Sequence, residues 1–64
     1  MIVNGETFKL SNPISVKDFL TSKGYNPLKV AVERNGDIIP KATFSEVLLY
    51  DEDTIEVVSF VGGG

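Results

Sequence analysis

The sequence predicts an α+β domain in which a mixed sheet of four to five strands packs on one short helix. Three features lead there: an Asn4-Gly5 turn between apolar runs, one capped amphipathic segment over residues 15–24, and a final run over residues 54–60 free of Pro and Gly. With 64 residues there is room for one domain and one small core, since folding at this size buries only about 60% of the surface the unfolded chain exposes.

Met1, Ile2 and Val3 run into Asn4-Gly5, and Thr7, Phe8 and Leu10 follow with partial alternation, so residues 1–10 read as two antiparallel strands. Asn12-Pro13 ends them. Ser15 stands three residues before Asp18, the spacing of an N-cap with an acidic residue at the positive end of a helix dipole. Val16, Phe19 and Leu20 then form one stripe, and Lys23 with Gly24 suits a helix end, which predicts a helix over residues 16–23.

Leu28, Val30 and Val32 alternate with more polar neighbours and predict a third strand up to Asn35-Gly36-Asp37. Ile38 and Ile39 make a short run stopped by Pro40, which belongs at a sheet margin. Phe44, Val47, Leu48 and Leu49 have helix-like spacing over too few residues, and predict a single helical turn or a packed loop that closes the core. Asp51-Glu52-Asp53 reads as an exposed turn, and residues 54–60 as the central strand.

Strand alternation turns Ile55 and Val57 toward the helix and Val58 and Phe60 to the opposite face. One helix covers only one side of the sheet. Val58 and Phe60 are therefore candidates for a partner-binding patch, against the plainer reading of scattered surface hydrophobes.

The chain has no cysteine and no histidine, which removes thiol nucleophiles, imidazole bases and the corresponding metal ligands. The net charge of −3 is uneven, with +2 over residues 1–32 and −5 over residues 33–64. An acidic half argues against nucleic acid and for a partner with a basic face, with Asp51, Glu52 and Asp53 as candidate contacts; a solvated turn is the alternative. These carboxylates lack the glycine and spacing of a calcium loop, so no metal site is expected. No run of about 18 apolar residues exists to cross a bilayer, and the first ten residues lack a signal-peptide pattern, so a cytoplasmic protein without membrane contact is expected.

The sequence closes on Val61-Gly62-Gly63-Gly64. Glycines without Cβ atoms make a thin, flexible tail of residues 61–64 on a domain of residues 1–60, and four residues reach at most roughly 14 Å. Such a tail is able to enter another protein's channel. With no thiol or imidazole in the chain, its terminal carboxylate is the leading candidate for a reactive group.

Taken together, Val3-Asn4-Gly5-Glu6, the stretch from Val30 through Asn35-Gly36-Asp37-Ile38-Ile39-Pro40 to Lys41, and Asp51-Glu52-Asp53-Thr54-Ile55-Glu56-Val57-Val58 leading to the Gly-Gly end resemble the ubiquitin-like β-grasp sulfur carriers, the ThiS/MoaD family, and within it the ThiS branch. The resemblance spans the whole chain. It departs where Phe44 stands near a position often held by Trp or Tyr, and where three glycines replace the usual two. If the third glycine is an addition, the reactive end lies at Gly63.

The resemblance implies a carrier of sulfur for the thiazole of thiamine that is itself no enzyme and binds no cofactor. A ThiF-type adenylyltransferase using ATP and Mg²⁺ activates the Gly64 carboxylate, a cysteine desulfurase persulfide supplies sulfur, and the resulting thiocarboxylate feeds thiazole synthase (ThiG). Gly62 and Gly63 form the flexible approach, while Val58, Phe60, Val61 and the acidic turn meet the partner. Two other readings stand beside it: a molybdopterin-synthase-type sulfur subunit, usually a longer chain, and a noncatalytic β-grasp interaction module with an inert tail.

Overall fold

The computed structural model describes residues 1–60, and among them it forms a ubiquitin-like β-grasp: five strands in one mixed sheet with a single α-helix on one face. The strands are β1 (Ile2–Val3), β2 (Glu6–Thr7), β3 (Ile14–Ser15), β4 (Val30–Arg34), β5 (Asp37–Ile38), β6 (Leu48–Leu49) and β7 (Thr54–Ser59), and the helix is α1 (Val16–Ser22). The sheet order is β2-β1-β7-β4-β5, with β1 parallel to β7 and the other neighbours antiparallel. β7 is central, as its composition predicted, and β5 with its following Pro40 lies at the edge.

Both Asn-Gly turns also hold the central strand. Asn4 and Gly5 take φ of 49° and 84°, the left-handed pair that a tight hairpin between β1 and β2 requires. The Asn4 side chain then bonds the backbone of Val57 twice, accepting from its N–H at 2.8 Å and donating to its carbonyl at 3.2 Å. Asn35, at φ 51°, accepts from the Thr54 N–H at 3.0 Å. Each turn thereby clamps β7, one from either side.

The predicted cap of α1 is present: the Asp18 N–H donates to Ser15 Oγ at 3.1 Å. The helix stops at Ser22, Lys23 is its C-cap, and Gly24 follows with φ 83°, a conformation costly for residues with a Cβ. Its stripe of Val16, Phe19 and Leu20 packs on Val3, Val30, Val32, Ile55 and Val57 from the sheet, with Met1, Ile39, Phe44 and Leu49 closing the core. Phe8 meets Phe19 edge-on at 6.3 Å, and Lys23 Nζ lies 4.2 Å over the Phe8 ring.

Three expectations need correction. The first hairpin is shorter than residues 1–10, pairing only Ile2 with Thr7 and Val3 with Glu6. Leu28 is outside the third strand; Pro27–Lys29 forms a 3-10 turn capped by Asn26, which leaves Leu28 79% exposed. The segment taken as a helical turn or loop is a 3-10 turn at Lys41–Thr43 followed by β6, which pairs with β3 as a separate two-stranded ladder. Phe44 and Leu49 are nonetheless buried, so the segment closes the core as expected.

Candidate functional site

The residues expected to meet a partner are distributed along β7 and its two ends. Ile55 and Val57 are buried against α1, whereas Val58 and Phe60 are each 56% exposed. On the same open face, the register pairs Ala31 with Val58 and Glu33 with Glu56, while Ile38 lies beside Glu33 and Ile2 beside Thr54. Ile2 and Ile38 are also exposed, so this side of the sheet is a partly apolar surface with no element of the described residues packed over it.

Beyond β7 the ladder continues through the Phe60 N–H, which donates to the Lys29 carbonyl at 2.9 Å. Lys41 Nζ donates to the Val30 carbonyl at 2.6 Å and lies 4.8 Å from the centre of the Phe60 ring. These contacts fix the point from which the chain runs on to Val61. Val61, Gly62, Gly63 and Gly64, the expected tail and reactive end, lie outside the described residues. Lys41 also lines a groove of about 400 Å³ with Lys17, Pro27, Leu28 and Phe44.

The acidic turn sits at the opposite end of β7, roughly 20 Å from Phe60 for a six-residue strand at about 3.3 Å per residue. Its two aspartates are engaged within the fold. Asp51 accepts from the Leu10 N–H at 2.8 Å and from the Met1 amino group at 3.1 Å, while Asp53 accepts from the Tyr50 N–H at 2.9 Å and lies 3.8 Å from Arg34 Nη1. Glu52 is exposed. Arg34 Nη1 also donates to the Leu48 carbonyl at 2.8 Å, which ties β6 to the main sheet.

The Leu10 N–H, the Met1 amino group and the charge of Lys9 hold the Asp51 carboxyl below its usual range. A lowered folded pKa contributes stability above the unfolded value, and that contribution is lost as pH falls through the folded value. Asp51→Asn is therefore expected to be less stable than the wild type at neutral pH, with the difference shrinking below about pH 4. Urea unfolding from pH 7 to pH 2 measures this, and a gap that stays constant into acid would contradict it.

The pairing of Glu33 with Glu56 and the seat of Lys41 against Phe60 were missed in the sequence. Alternation in β4 and β7 places both glutamates on the open face, but only the strand register brings them opposite one another.

The sequence model of the ThiS family matches residues 1–64. The sulfur carrier protein ThiS of Bacillus subtilis is 43% identical over 63 residues, covering 97% of this chain and 96% of that protein. The crystal structure of the thiamine biosynthesis protein ThiS from Geobacter metallireducens superposes with a TM-score of 0.77 at 30% identity, covering 98% of this chain and 96% of that one. A thiazole synthase of Paramagnetospirillum magneticum is 41% identical over 64 residues, and the chain spans 20% of that protein's length.

Proposed function

The chain belongs to the ThiS family of sulfur carriers in thiamine biosynthesis, and from that membership we propose that it acts as a protein co-substrate whose C-terminal glycine carries the sulfur of the thiazole ring. The observation that carries this reading is the family match over residues 1–64, in a sequence where the central strand is followed within a few residues by the glycines. In the proposed sequence a Gly64 carboxylate oxygen attacks the α-phosphorus of ATP, with Mg²⁺ and a ThiF-type adenylyltransferase, and pyrophosphate leaves. The terminal sulfur of a persulfide made by a cysteine desulfurase then displaces AMP, and a thiol cleaves the acyl disulfide to release the thiocarboxylate.

Each partner supplies what this chain lacks. A carboxylate is a poor electrophile, and stabilising the charge that develops during activation needs an enclosed array of donors around the glycine. The carrier contributes reach, a slender approach and the absence of a thiol that would attack its own activated end. Thiazole synthase as the acceptor is supported by the Paramagnetospirillum magneticum thiazole synthase, a fifth of whose length resembles this chain. The 43% identity to the Bacillus subtilis ThiS over 97% of this chain favours this reading over a molybdopterin-synthase-type subunit.

Activation is tested by ATP–pyrophosphate exchange. A ThiF-type adenylyltransferase is expected to exchange label into ATP only when this chain is added. Exchange at the same rate without the chain, or none with it, would count against the proposal.

A further inference from the structure

A basic residue follows Ile39-Pro40 directly, and the proposed chemistry gives it no part. Lys41 opens the 3-10 turn Lys41–Thr43, and its backbone is held on both sides. Before it, the Ile39 N–H donates to the Val32 carbonyl at 2.9 Å and the Ile39 side chain is buried; after it, the Phe44 N–H donates to the Lys41 carbonyl at 3.1 Å and the Phe44 ring is buried. The Thr43 N–H and Oγ1 close the turn on the Pro40 carbonyl at 2.9 and 2.7 Å. The lysine stem therefore starts from a fixed point.

Its far end is fixed as well. The Lys41 ammonium donates to the Val30 carbonyl at 2.6 Å and lies 4.8 Å from the centre of the Phe60 ring, inside the range of about 6 Å over which a cation is attracted to an aromatic face. Phe60 is thus held twice, by its N–H on the Lys29 carbonyl at 2.9 Å and by its ring on Lys41. That ring is 56% exposed and outside the buried core, so the contact with Lys41, and not core packing, sets its place. Phe60 directly precedes Val61-Gly62-Gly63-Gly64, which makes its seat the origin from which the terminal carboxylate is delivered. A reacting group displaced by about 1 Å can lose roughly a hundredfold in rate, so the position of that origin bears on turnover.

We propose that Lys41 is a positioning residue: it seats Phe60 and so fixes the point from which the C-terminal residues reach, whichever protein receives the carboxylate. That the carboxylate is the reacting group rests on the sulfur-carrier reading; the seat itself does not.

The test compares Lys41→Met, which keeps a long stem and removes the charge, with Lys41→Arg, whose guanidinium also stacks on aromatic rings and donates. In amide hydrogen exchange followed by NMR, protection of the Phe60 N–H is expected to fall about two- to fivefold in Lys41→Met, the size of a cation–π contact at an exposed site, while that of Val57 is unchanged. In ATP–pyrophosphate exchange with a ThiF-type adenylyltransferase, kcat is expected to fall by the same about two- to fivefold with KM for the carrier unchanged. Lys41→Arg is expected to restore it, and Lys41→Met to add nothing in a Phe60→Leu background. A raised KM at unchanged kcat would make Lys41 a direct contact of the partner and overturn the proposal. So would unchanged protection of Phe60, or a full effect of Lys41→Met in the Phe60→Leu background. A wild type that supports no exchange, while Phe60 still loses protection in Lys41→Met, removes the sulfur-carrier reading and keeps the seat; unchanged kinetics of Lys41→Met beside an active wild type does the reverse.

Discussion

Deletion of Gly64 is expected to abolish thiocarboxylate formation while the melting temperature stays within about 4 °C of the wild type. The two halves of that result have separate causes. Among the described residues the core ends at Val57 and the last backbone bond of the ladder is made by Phe60, so the packing that holds the fold is built from residues well before Gly64. A surface change of this kind alters stability by no more than about 0.5 kcal/mol, and a domain this small moves about 4–8 °C per kcal/mol. Loading, in contrast, depends on where the carboxylate sits in the activating site, and one residue shortens an extended tail by roughly 3.5 Å. A displacement of that size removes the carboxylate from attack distance of the α-phosphorus. Equal loading of the shortened chain would show that the reactive carboxylate belongs at Gly63.

Leu20→Ala is expected to cost about 3 kcal/mol, read as a melting temperature lower by roughly 12–24 °C. Leu20 is fully buried where α1 meets the sheet, and a domain of this length has only about 3–10 kcal/mol in total. No disulfide offsets the loss, because the chain has no cysteine. Val58→Ala removes an apolar side chain from the same sheet, yet is expected to change stability by under about 0.5 kcal/mol because it faces outward. Thermal unfolding of the two variants measures the asymmetry between the faces. Similar losses from both would contradict a sheet covered on one side.

Local chemistry made the main features of the fold legible. Asn4-Gly5 specifies a hairpin through backbone angles that few other pairs adopt, and Ser15 with Asp18 specifies a helix start through one hydrogen bond three residues long. The run into β7 was recognisable because nothing in it interrupts a strand. What stayed hidden depends on partners far away in the chain. β3 and β6 are two residues each, too short for any periodicity, and exist because Ile14 and Ser15 lie beside Leu49 and Leu48. Asp51 looked like part of a solvated turn, yet its oxygen is used by Leu10, 41 positions earlier. The same limit applies to the open face: Val58 and Phe60 were readable from alternation alone, while Glu33 opposite Glu56 required the register.

The proposed function places the sulfur on the terminal glycine of this chain. Incubation with ATP, Mg²⁺, a ThiF-type adenylyltransferase, a cysteine desulfurase, cysteine and a thiol, followed by intact mass measurement, tests it most directly. A single mass increase equal to the exchange of one oxygen for one sulfur, confined to the C-terminal fragment, is expected. An unchanged mass, in a reaction that loads a ThiS control, would contradict it.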